Sequence, residues 1–315
     1  MSTDTAGEPG PSDIRRLPSG AHVHVWTSPR APRAPRALVQ LQHGFAEYAE
    51  RFTHQHHQLV EHLTSHGFEV WAMDLLGHGR SPGPRGQTDI RQAVEDHRLL
   101  RRAMRAHSPL PIALVGHSLG GLVTAGSLLA DPEHVAGVVL LAPSLPPAVP
   151  APARWIMDLL ARVVPAAPAP LKKAPASELT RLPEQRRITA ADPLLFPGRV
   201  PMRLAATALH VAAEVWEQAS DTWSTPCLVV HGTADTSTEP DRSRRFVDLL
   251  PATDKSLQLV TGGRHELLHD LDGDAVLTSL LSWLDSHVPA APSLNETPPA
   301  AVSRRPPPTG RPPLH

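Results

Sequence analysis

Residues 111–121 read PIALVGHSLGG, and this stretch decides the fold. The apolar run PIALV predicts a buried strand, and the residues that follow Ser118 have helical patterning. Between the two, Gly116, Ser118 and Gly120 match G-x-S-x-G, a sharp strand-to-helix turn that exposes a nucleophilic serine. Glycine at both flanking positions lets neighbouring chain pass close to the strained turn. The stretch therefore predicts a reactive Ser118 at the N-terminus of a helix.

The same alternation of strand and helix continues on both sides of this turn. Short apolar runs bounded by turn residues predict further strands at 37–44, 68–74, 135–144, 226–232 and 255–263, and a half-buried antiparallel edge strand at 21–26. Helical patterning covers 57–67, 90–107, 119–130 and 274–287. Such alternation predicts an α/β fold with a mostly parallel central sheet and helices on both faces.

The alternation stops once, between residues 145 and 225. A segment of this length is too long for a loop in a compact domain, so we interpret it as an inserted helical cap within a domain that spans 14–287. The 36 prolines cluster in the two termini and in 145–205. We expect disorder at 1–13 and 288–315, and short helices joined by stiff turns in the cap.

Composition excludes several classes of protein. Thirty basic residues face 31 acidic ones, so the basic excess of a nucleic-acid binder is missing. A single cysteine, Cys227, rules out an intramolecular disulfide and a cysteine-rich zinc site. No apolar run has the length of a signal peptide or a membrane span, so we expect a cytoplasmic location. Nothing in the sequence specifies an oligomeric state.

A serine hydroxyl needs a base to remove its proton and a carboxylate to orient that base, in the chain order serine, acid, histidine. Asp235 follows the predicted strand in LVVHGTAD, where it is better placed than Asp221 or Asp241. His265 lies in the glycine-rich turn after the next strand, with His269 as the second choice. The sequence therefore predicts Ser118, Asp235 and His265 as catalytic residues.

An oxyanion hole should complete this site. Its two donors would be the backbone N–H of Leu119, directly after the nucleophile, and that of Phe45, in the turn after the strand at 37–44.

The three histidines His54, His56 and His57 look like a metal site, but no carboxylate stands at ligand spacing, so we interpret them as surface residues. No metal and no cofactor is expected.

Three further motifs complete a family pattern. HGFAEYAERF (43–52), MDLLGHGRSPGPRG (73–86) and ITAADPLLFPG (188–198), taken with the stretches above, resemble the α/β-hydrolases of the monoacylglycerol lipase and lysophospholipase type, also grouped with serine aminopeptidase-like hydrolases. The first motif departs from the family signature His-Gly-x-Gly-Glu-His-x-x-Arg-Tyr at Ala46 and Tyr48. By resemblance, the residues that fix the loops without taking part in catalysis are Glu47, Arg51, Asp74 and His78.

The resemblance implies a serine hydrolase that cleaves small ester or lipid substrates with an apolar acyl chain bound beneath the cap. An aminopeptidase on the same scaffold would need acidic cap residues to hold the substrate ammonium, with Asp158, Glu178, Glu184 and Asp192 as candidates. An acyltransferase, and a ligand binder without catalysis, are further alternatives, because fold alone does not prove activity.

Residues 153–164 predict a short amphipathic helix. Arg154, Asp158 and Arg162 share one face, and the opposite face is apolar, with Trp155, Ile156, Leu159, Leu160 and Val163. The favoured interpretation is that this apolar face packs against the hydrolase core. The alternative is transient contact with a membrane surface, for which the nearby positive charge is thin.

Overall fold

The central sheet is built from strands of which most are buried on both faces. The computed structural model describes residues 13–28, 34–147, 149–171 and 175–288, and within these ranges eight strands form one sheet in the order β1-β2-β4-β3-β5-β6-β7-β8. The strands are β1 (Asp13–Arg16), β2 (His22–Trp26), β3 (Ala37–Gln42), β4 (Phe68–Met73), β5 (Ile112–His117), β6 (Val135–Leu141), β7 (Cys227–Gly232) and β8 (Lys255–Val260).

Helices cover both faces of this sheet. They are α1 (Arg51–His54), α2 (Leu59–Ser65), α3 (Ile90–His107), α4 (Leu119–Ala130), α5 (Ala151–Val163), α6 (Ala176–Leu179), α7 (Pro183–Ala191), α8 (Met202–Thr222), α9 (Pro240–Leu249) and α10 (Gly273–His287). Within the described ranges, none of the helices combines the length and apolar character that crossing a bilayer requires.

Alternate residues of the central strands pack into two separate cores. Leu114 and Leu140 belong to the core under α3, α4, α8 and α9, whereas their neighbours Val115 and Leu141 belong to the core under α1, α2 and α10. A strand that is apolar on both faces can be stable only between two helical layers. Strands β3 to β8 run parallel to one another, and the predicted α/β-hydrolase fold class is confirmed.

The N-terminal strands correct one expectation. Strand β2 is antiparallel, as predicted, and pairs with β4, but β1 covers its other side, so β2 is an interior strand and β1 forms the edge. The polar run DIRR in β1 gives no strand pattern by itself and is ordered by pairing with β2. The disorder predicted for 1–13 and 288–315 concerns residues outside the described ranges, except Asp13, which begins β1, and Val288, which is buried.

Helices α5 to α8 occupy the segment interpreted as a cap. In its described part the segment contains no strand, only an isolated bridge between Pro168 and Pro201. The long helix α8 packs on α3 and α4 with Val211 and Val215 buried, so it belongs as much to the core as to the cap. Helix α5 then lies on α8.

The apolar face of α5 points to solvent, and the packing interpretation is wrong. Trp155 is 67% exposed and Val163 is 69% exposed. The opposite side of the helix meets α8, where Ala161 joins a small apolar cluster and Asp158 accepts a hydrogen bond from His210 at 2.8 Å. Ala161, Met157 and one polar contact therefore hold α5 against α8, and the five large apolar side chains of its outer face are exposed in the described structure.

Candidate active site

Ser118 lies in the sharp turn between β5 and α4. Its φ of 53° and ψ of −119° are unfavourable for any residue with a side chain, and the strained turn predicted from the sequence is present. Hydrogen bonds hold the conformation: the Ser118 N–H donates to the Leu141 carbonyl (2.9 Å), and the Ser118 carbonyl accepts from the N–H groups of Gly121 and Ser144 (2.9 Å each). Packing and backbone bonds thus fix the serine before any substrate binds.

Two glycines make this turn possible by close approach. A Cβ on Gly120 would collide with the carbonyl oxygens of Gln42 and His43, at the end of β3. A Cβ on Gly116 would lie 2.6 Å from the Thr124 hydroxyl oxygen. The glycines therefore bring the turn after β3 against the turn after β5, at the point where the order of the parallel strands reverses.

The structure brings the three predicted catalytic residues together. Nε2 of His265 lies 2.8 Å from Oγ of Ser118, and Nδ1 of His265 lies 2.8 Å from Oδ2 of Asp235. These residues follow β5, β7 and β8, whose carboxyl ends meet at one edge of the sheet because the strands are parallel.

The second choices made from the sequence have other partners. Asp241 pairs with Arg244 on α9, and Asp221 accepts from the Ser220 hydroxyl on α8. His269 lies 2.7 Å from the carboxylate of Glu266. Asp235 and His265 are therefore the pair that the fold places on Ser118.

Asp235 is held as an anion. Its Oδ2 faces His265, the Thr238 hydroxyl (2.8 Å) and His231 (3.1 Å), while Oδ1 accepts from the N–H groups of Ser237 and Thr238 (2.7 and 3.0 Å). Burial favours the neutral acid, but the charge of His265 and these hydrogen bonds outweigh burial and lower the pKa of Asp235.

The same pairing raises the pKa of His265, whereas it lowers that of Asp235. Burial alone would lower the pKa of His265, but the negative charge of Asp235 and the hydrogen bond to it raise that pKa above its ordinary value. A raised pKa makes the imidazole a better proton acceptor. The price is that the neutral, proton-accepting form is populated only above this raised pKa.

The two predicted oxyanion donors belong to the turn after β3 and to the first turn of α4. Leu119 is the first residue of α4, and Phe45 follows Gly44, whose Cα lies so near Ser118 that an added Cβ would be 3.1 Å from the serine Cβ. The adjacent Ala46 has a φ of 69°, a left-handed conformation that favours glycine. The donation of the Phe45 and Leu119 N–H groups to an oxyanion stays a prediction.

Behind the nucleophile, two residues that the resemblance marks as loop-fixing, Glu47 and Arg51, form a buried cluster with two histidines that sequence reasoning missed. In this Glu47 cluster (Glu47, Arg51, His56 and His117), the Glu47 carboxylate is ion-paired with Arg51 and lies 3.0 Å from His56 Nε2 and 3.3 Å from His117 Nδ1. It also accepts from the Gly44 N–H at 3.3 Å, so one carboxylate joins the turn after β3 to the residue before Ser118.

The interpretation of His56 as a surface residue is wrong. His54 is exposed as expected and His57 is half-buried, but His56 is 1% exposed and stacks between Phe52 and His269. Burial lowers the pKa of His56 to about 3, so it is neutral at physiological pH. No local pattern predicts this placement, which depends on contacts between distant segments.

The Glu47 cluster has ligand atoms spaced as in a metal site. One ligand atom each of Glu47, His56 and His117 lies within 4.8 Å of the others. Arg51, however, already neutralises the carboxylate, and a cation there would face a buried guanidinium. We therefore interpret the group as a hydrogen-bond network that fixes the two turns.

Asp74 and its neighbours fix the loops in the way that the resemblance implies. The Asp74 carboxylate accepts from the N–H groups of Ala49 (2.7 Å) and Arg80 (2.8 Å), and His24 lies 3.2 Å from it. His43 Nε2 accepts from the Leu75 N–H at 3.0 Å. These bonds tie the loop after β4 to the loop after β3.

The second half of the cap is fastened to the same loop. The Tyr48 hydroxyl donates to Asp192 at 2.8 Å, and the Phe196 N–H donates to the Ala46 carbonyl at 3.0 Å. The ring of Phe196 also packs edge-on against Phe45. Both positions that depart from the family signature, Ala46 and Tyr48, therefore contact the cap.

The chain is similar to known proteins both in sequence and in structure. Residues 33–272 match the family Hydrolase_4, described as serine aminopeptidase, S33. The chain is 30% identical over 272 residues to a monoacylglycerol lipase of Mycolicibacterium smegmatis, covering 84% of this chain and 92% of that one, and 28% identical over 263 residues to human monoglyceride lipase, covering 82% and 85%. The crystal structure of Paleococcus ferrophilus monoacylglycerol lipase superposes with a TM-score of 0.72 at 28% identity, covering 85% of this chain and 99% of that one.

Proposed function

Because this chain belongs to the Hydrolase_4 family of serine aminopeptidase S33 type, we propose that it cleaves carboxylic esters with an apolar acyl chain through Ser118, His265 and Asp235. The observation that supports this most directly is the continuous hydrogen-bonded chain from Ser118 Oγ through both nitrogens of His265 to Asp235. Relatives named as monoacylglycerol and monoglyceride lipases make monoacylglycerols the first substrates to test.

Acylation begins when Ser118 Oγ attacks the ester carbonyl and His265 Nε2 takes the hydroxyl proton. Asp235 stabilises the resulting imidazolium and holds its tautomer. The N–H groups of Phe45 and Leu119 would donate to the oxyanion of the tetrahedral intermediate. Collapse of the intermediate breaks the ester C–O bond, and His265 returns its proton to the departing alcohol.

Deacylation repeats these steps with water as the nucleophile. His265 takes a proton from water as the hydroxide attacks the acyl-enzyme carbonyl. The second tetrahedral intermediate then expels Ser118, which regains its proton from His265, and the carboxylic acid leaves. No additional reactant is needed, since water supplies the oxygen of the acid and the proton of the alcohol.

A fluorophosphonate probe and a short p-nitrophenyl ester test the assignment. We expect the probe to label the wild type, and we expect Ser118→Ala to abolish both labelling and ester turnover. Ser286→Ala, at an exposed serine on α10, is the matched control and should retain both. Undiminished turnover by Ser118→Ala would overturn the proposal, and ligand retention without labelling would favour a binding protein.

The acidic residues of the cap support an esterase over an aminopeptidase. Each one that could hold a substrate ammonium already has a partner within the protein: Asp158 with His210, Glu178 with Thr236, Glu184 with Arg187, and Asp192 with Tyr48. We therefore expect a panel of acyl glycerols to be turned over faster than amino-acid p-nitroanilides. An acceptor alcohol that diverts the acyl group from water would instead favour an acyltransferase.

We also propose that the exposed face of α5 makes transient contact with a lipid surface. All but one of the large apolar side chains exposed in the described residues lie between 155 and 194, and five of them share this helix face: Trp155, Ile156, Leu159, Leu160 and Val163. A contiguous exposed apolar patch of this kind typically marks an interaction site. A lipid surface would cover it and is also where monoacylglycerols accumulate.

Sedimentation with zwitterionic phosphatidylcholine vesicles tests this contact. We expect the wild type to co-sediment and Leu159→Ser to bind less. Leu271→Ser removes a leucine that is 62% exposed but lies outside the cap, and it should bind like the wild type. Equal, negligible binding by all three proteins would contradict membrane contact.

A further inference from the structure

His231 lies directly behind the catalytic carboxylate. It is fully buried at the end of β7, and its Nε2 is 3.1 Å from Asp235 Oδ2 and 3.1 Å from the Thr238 carbonyl oxygen. Both of these oxygens can only accept a hydrogen bond, so Nε2 carries a hydrogen. On its other side, Nδ1 lies 2.7 Å from the Ser243 hydroxyl of α9, which can donate to it.

Asp235 Oδ2 is thus shared by two histidines. His265 Nδ1 approaches it at 2.8 Å from β8, and His231 Nε2 approaches it at 3.1 Å from β7. A hydrogen bond to a carboxylate draws on its negative charge and weakens it as an acceptor for any other donor. The strength with which Asp235 stabilises the protonated His265 therefore depends on His231.

We propose that His231 is a positioning residue that donates to Asp235 and tunes the basicity of His265, with Ser243 keeping the donating nitrogen of His231 on the aspartate. This inference rests on the proposed function, since it adds His231 to the hydrogen-bonded chain of Ser118, His265 and Asp235. Asp235, His265 and Ser118 remain the groups that perform the chemistry.

The titratable groups that face His265 do not replace His231 in this role. The Thr238 hydroxyl, which lies 3.2 Å from His265 Nδ1 and donates to Asp235 Oδ2 at 2.8 Å, is present in every variant tested below. Glu266 and Glu47 raise the pKa of His265 through their negative charge, and the His117 ring lies 5.3 Å from the His265 ring. The structure gives none of these titratable groups a hydrogen bond to Asp235 within the described residues. His231 acts on the carboxylate itself, so its removal should shift the pKa of His265 in a characteristic direction.

The direction of this pKa shift distinguishes a residue that tunes the basicity of His265 from one that only holds Asp235 in place. In His231→Leu, Asp235 keeps more of its charge, so the pKa of His265 should rise. Because His265 accepts the serine proton only when neutral, the acidic limb of the activity profile should move to higher pH, by about 0.5 unit. If His231 only held Asp235 in place, its loss would release the carboxylate and move the limb to lower pH.

The experiment measures the rate of fluorophosphonate labelling against pH for the wild type, His231→Leu and His231→Gln. The glutamine amide nitrogen can replace Nε2 as donor, so His231→Gln should restore the wild-type limb. His97→Leu is the matched control, because His97 is a buried histidine on α3 that likewise contacts a serine through Nδ1. We expect its acidic limb to coincide with that of the wild type.

An NMR titration of the His265 imidazole makes the result independent of turnover. If the wild type takes no label, the proposed function fails, and the titration still reports whether His231→Leu raises the pKa of His265. Thermal unfolding shows that each variant is folded at the temperature used. The proposal would be overturned if the acidic limb or the pKa of His265 stayed in place or fell in His231→Leu. It would also be overturned if His231→Gln shifted the acidic limb as far as His231→Leu does.

Discussion

At the carboxyl edge of the sheet, polar side chains are buried and hydrogen-bonded, whereas on α5 large apolar side chains stand in solvent. Asp235 accepts hydrogen bonds on both oxygens, and Ser118 is held at a positive φ by bonds to β6 and α4. Trp155 and Val163, in contrast, have most of their surface exposed. The chemical site is fixed by the fold, and the cap keeps an apolar face that no other described part of the chain covers.

The difference shows where this fold stores unfavourable free energy. Strain at Ser118 and Ala46, and burial of the Glu47 and Asp235 carboxylates, are tolerated because backbone bonds and two apolar cores surround them. On the exposed face of α5, the unfavourable free energy comes instead from apolar side chains in contact with water. Substitutions at the two places should therefore differ in size and in the property they change.

The largest effect should follow from Asp235→Asn. The variant keeps the shape of the side chain but loses the charge that stabilises the His265 imidazolium, so kcat should fall about 10⁴-fold. Steady-state hydrolysis of a p-nitrophenyl ester measures it. Asp241→Asn, at an exposed aspartate of α9 that the sequence offered as an alternative, should lose less than about twofold. Similar losses in both variants would remove Asp235 from the catalytic role.

Gly120→Ala should be the most destabilising small change. Its methyl group would collide with the carbonyl oxygens of Gln42 and His43, which are backbone and cannot rotate away. We expect the free energy of unfolding to fall by about 3 kcal/mol or more, as measured by urea denaturation.

Gly126→Ala is the control in the same helix. A Cβ there would meet the side chains of Val211 and Val94 at 3.0 and 3.1 Å, which can adjust, and alanine favours the helix. The net change in the free energy of unfolding should stay within about 1 kcal/mol. Equal stability of the two variants would mean that the turns after β3 and β5 are not tightly packed.

Ala46→Gly should have a smaller effect of opposite sign. Glycine adopts the observed φ of 69° without steric cost, so the free energy of unfolding should rise by up to about 1 kcal/mol. Ala93→Gly, at a buried position within α3, should lower it by about 1 kcal/mol. A destabilised Ala46→Gly would show that the methyl group has a packing role that outweighs the strain.

The smallest effect on stability should come from the exposed face of the cap. Val163→Ser should change the free energy of unfolding by less than about 0.5 kcal/mol, because most of the side chain is already in water. Val215→Ser, at a fully buried position of α8, should cost about 2 kcal/mol or more. A large loss in Val163→Ser would mean that the face of α5 is packed in solution.

Local pattern predicted most of the sheet and the residues of the site. Strands β3 to β8 are short apolar runs between turn residues, and the order of Ser118, Asp235 and His265 follows from the chemistry of a nucleophile that needs a base. Helices α8 and α9 were not predicted. Alanine supplies half of the buried residues of α8, and α9 buries only Ser243, Phe246 and Val247 among many charged residues, so contacts with the core decide both helices.

The sequence by itself determined the α/β fold class, the strained serine turn and the candidate nucleophile, base and acid, because each depends on residue types at short spacing. Only the tertiary structure decided that His56 is buried beside Glu47, that His231 shares Asp235 with His265, and that the apolar face of α5 is uncovered. Each depends on how segments from different parts of the chain pack together: His269 packs on His56 from 213 residues away, and His265 reaches Asp235 from the next strand. Periodicity shows that a helix has an apolar face, but what covers that face depends on the neighbours that the fold supplies.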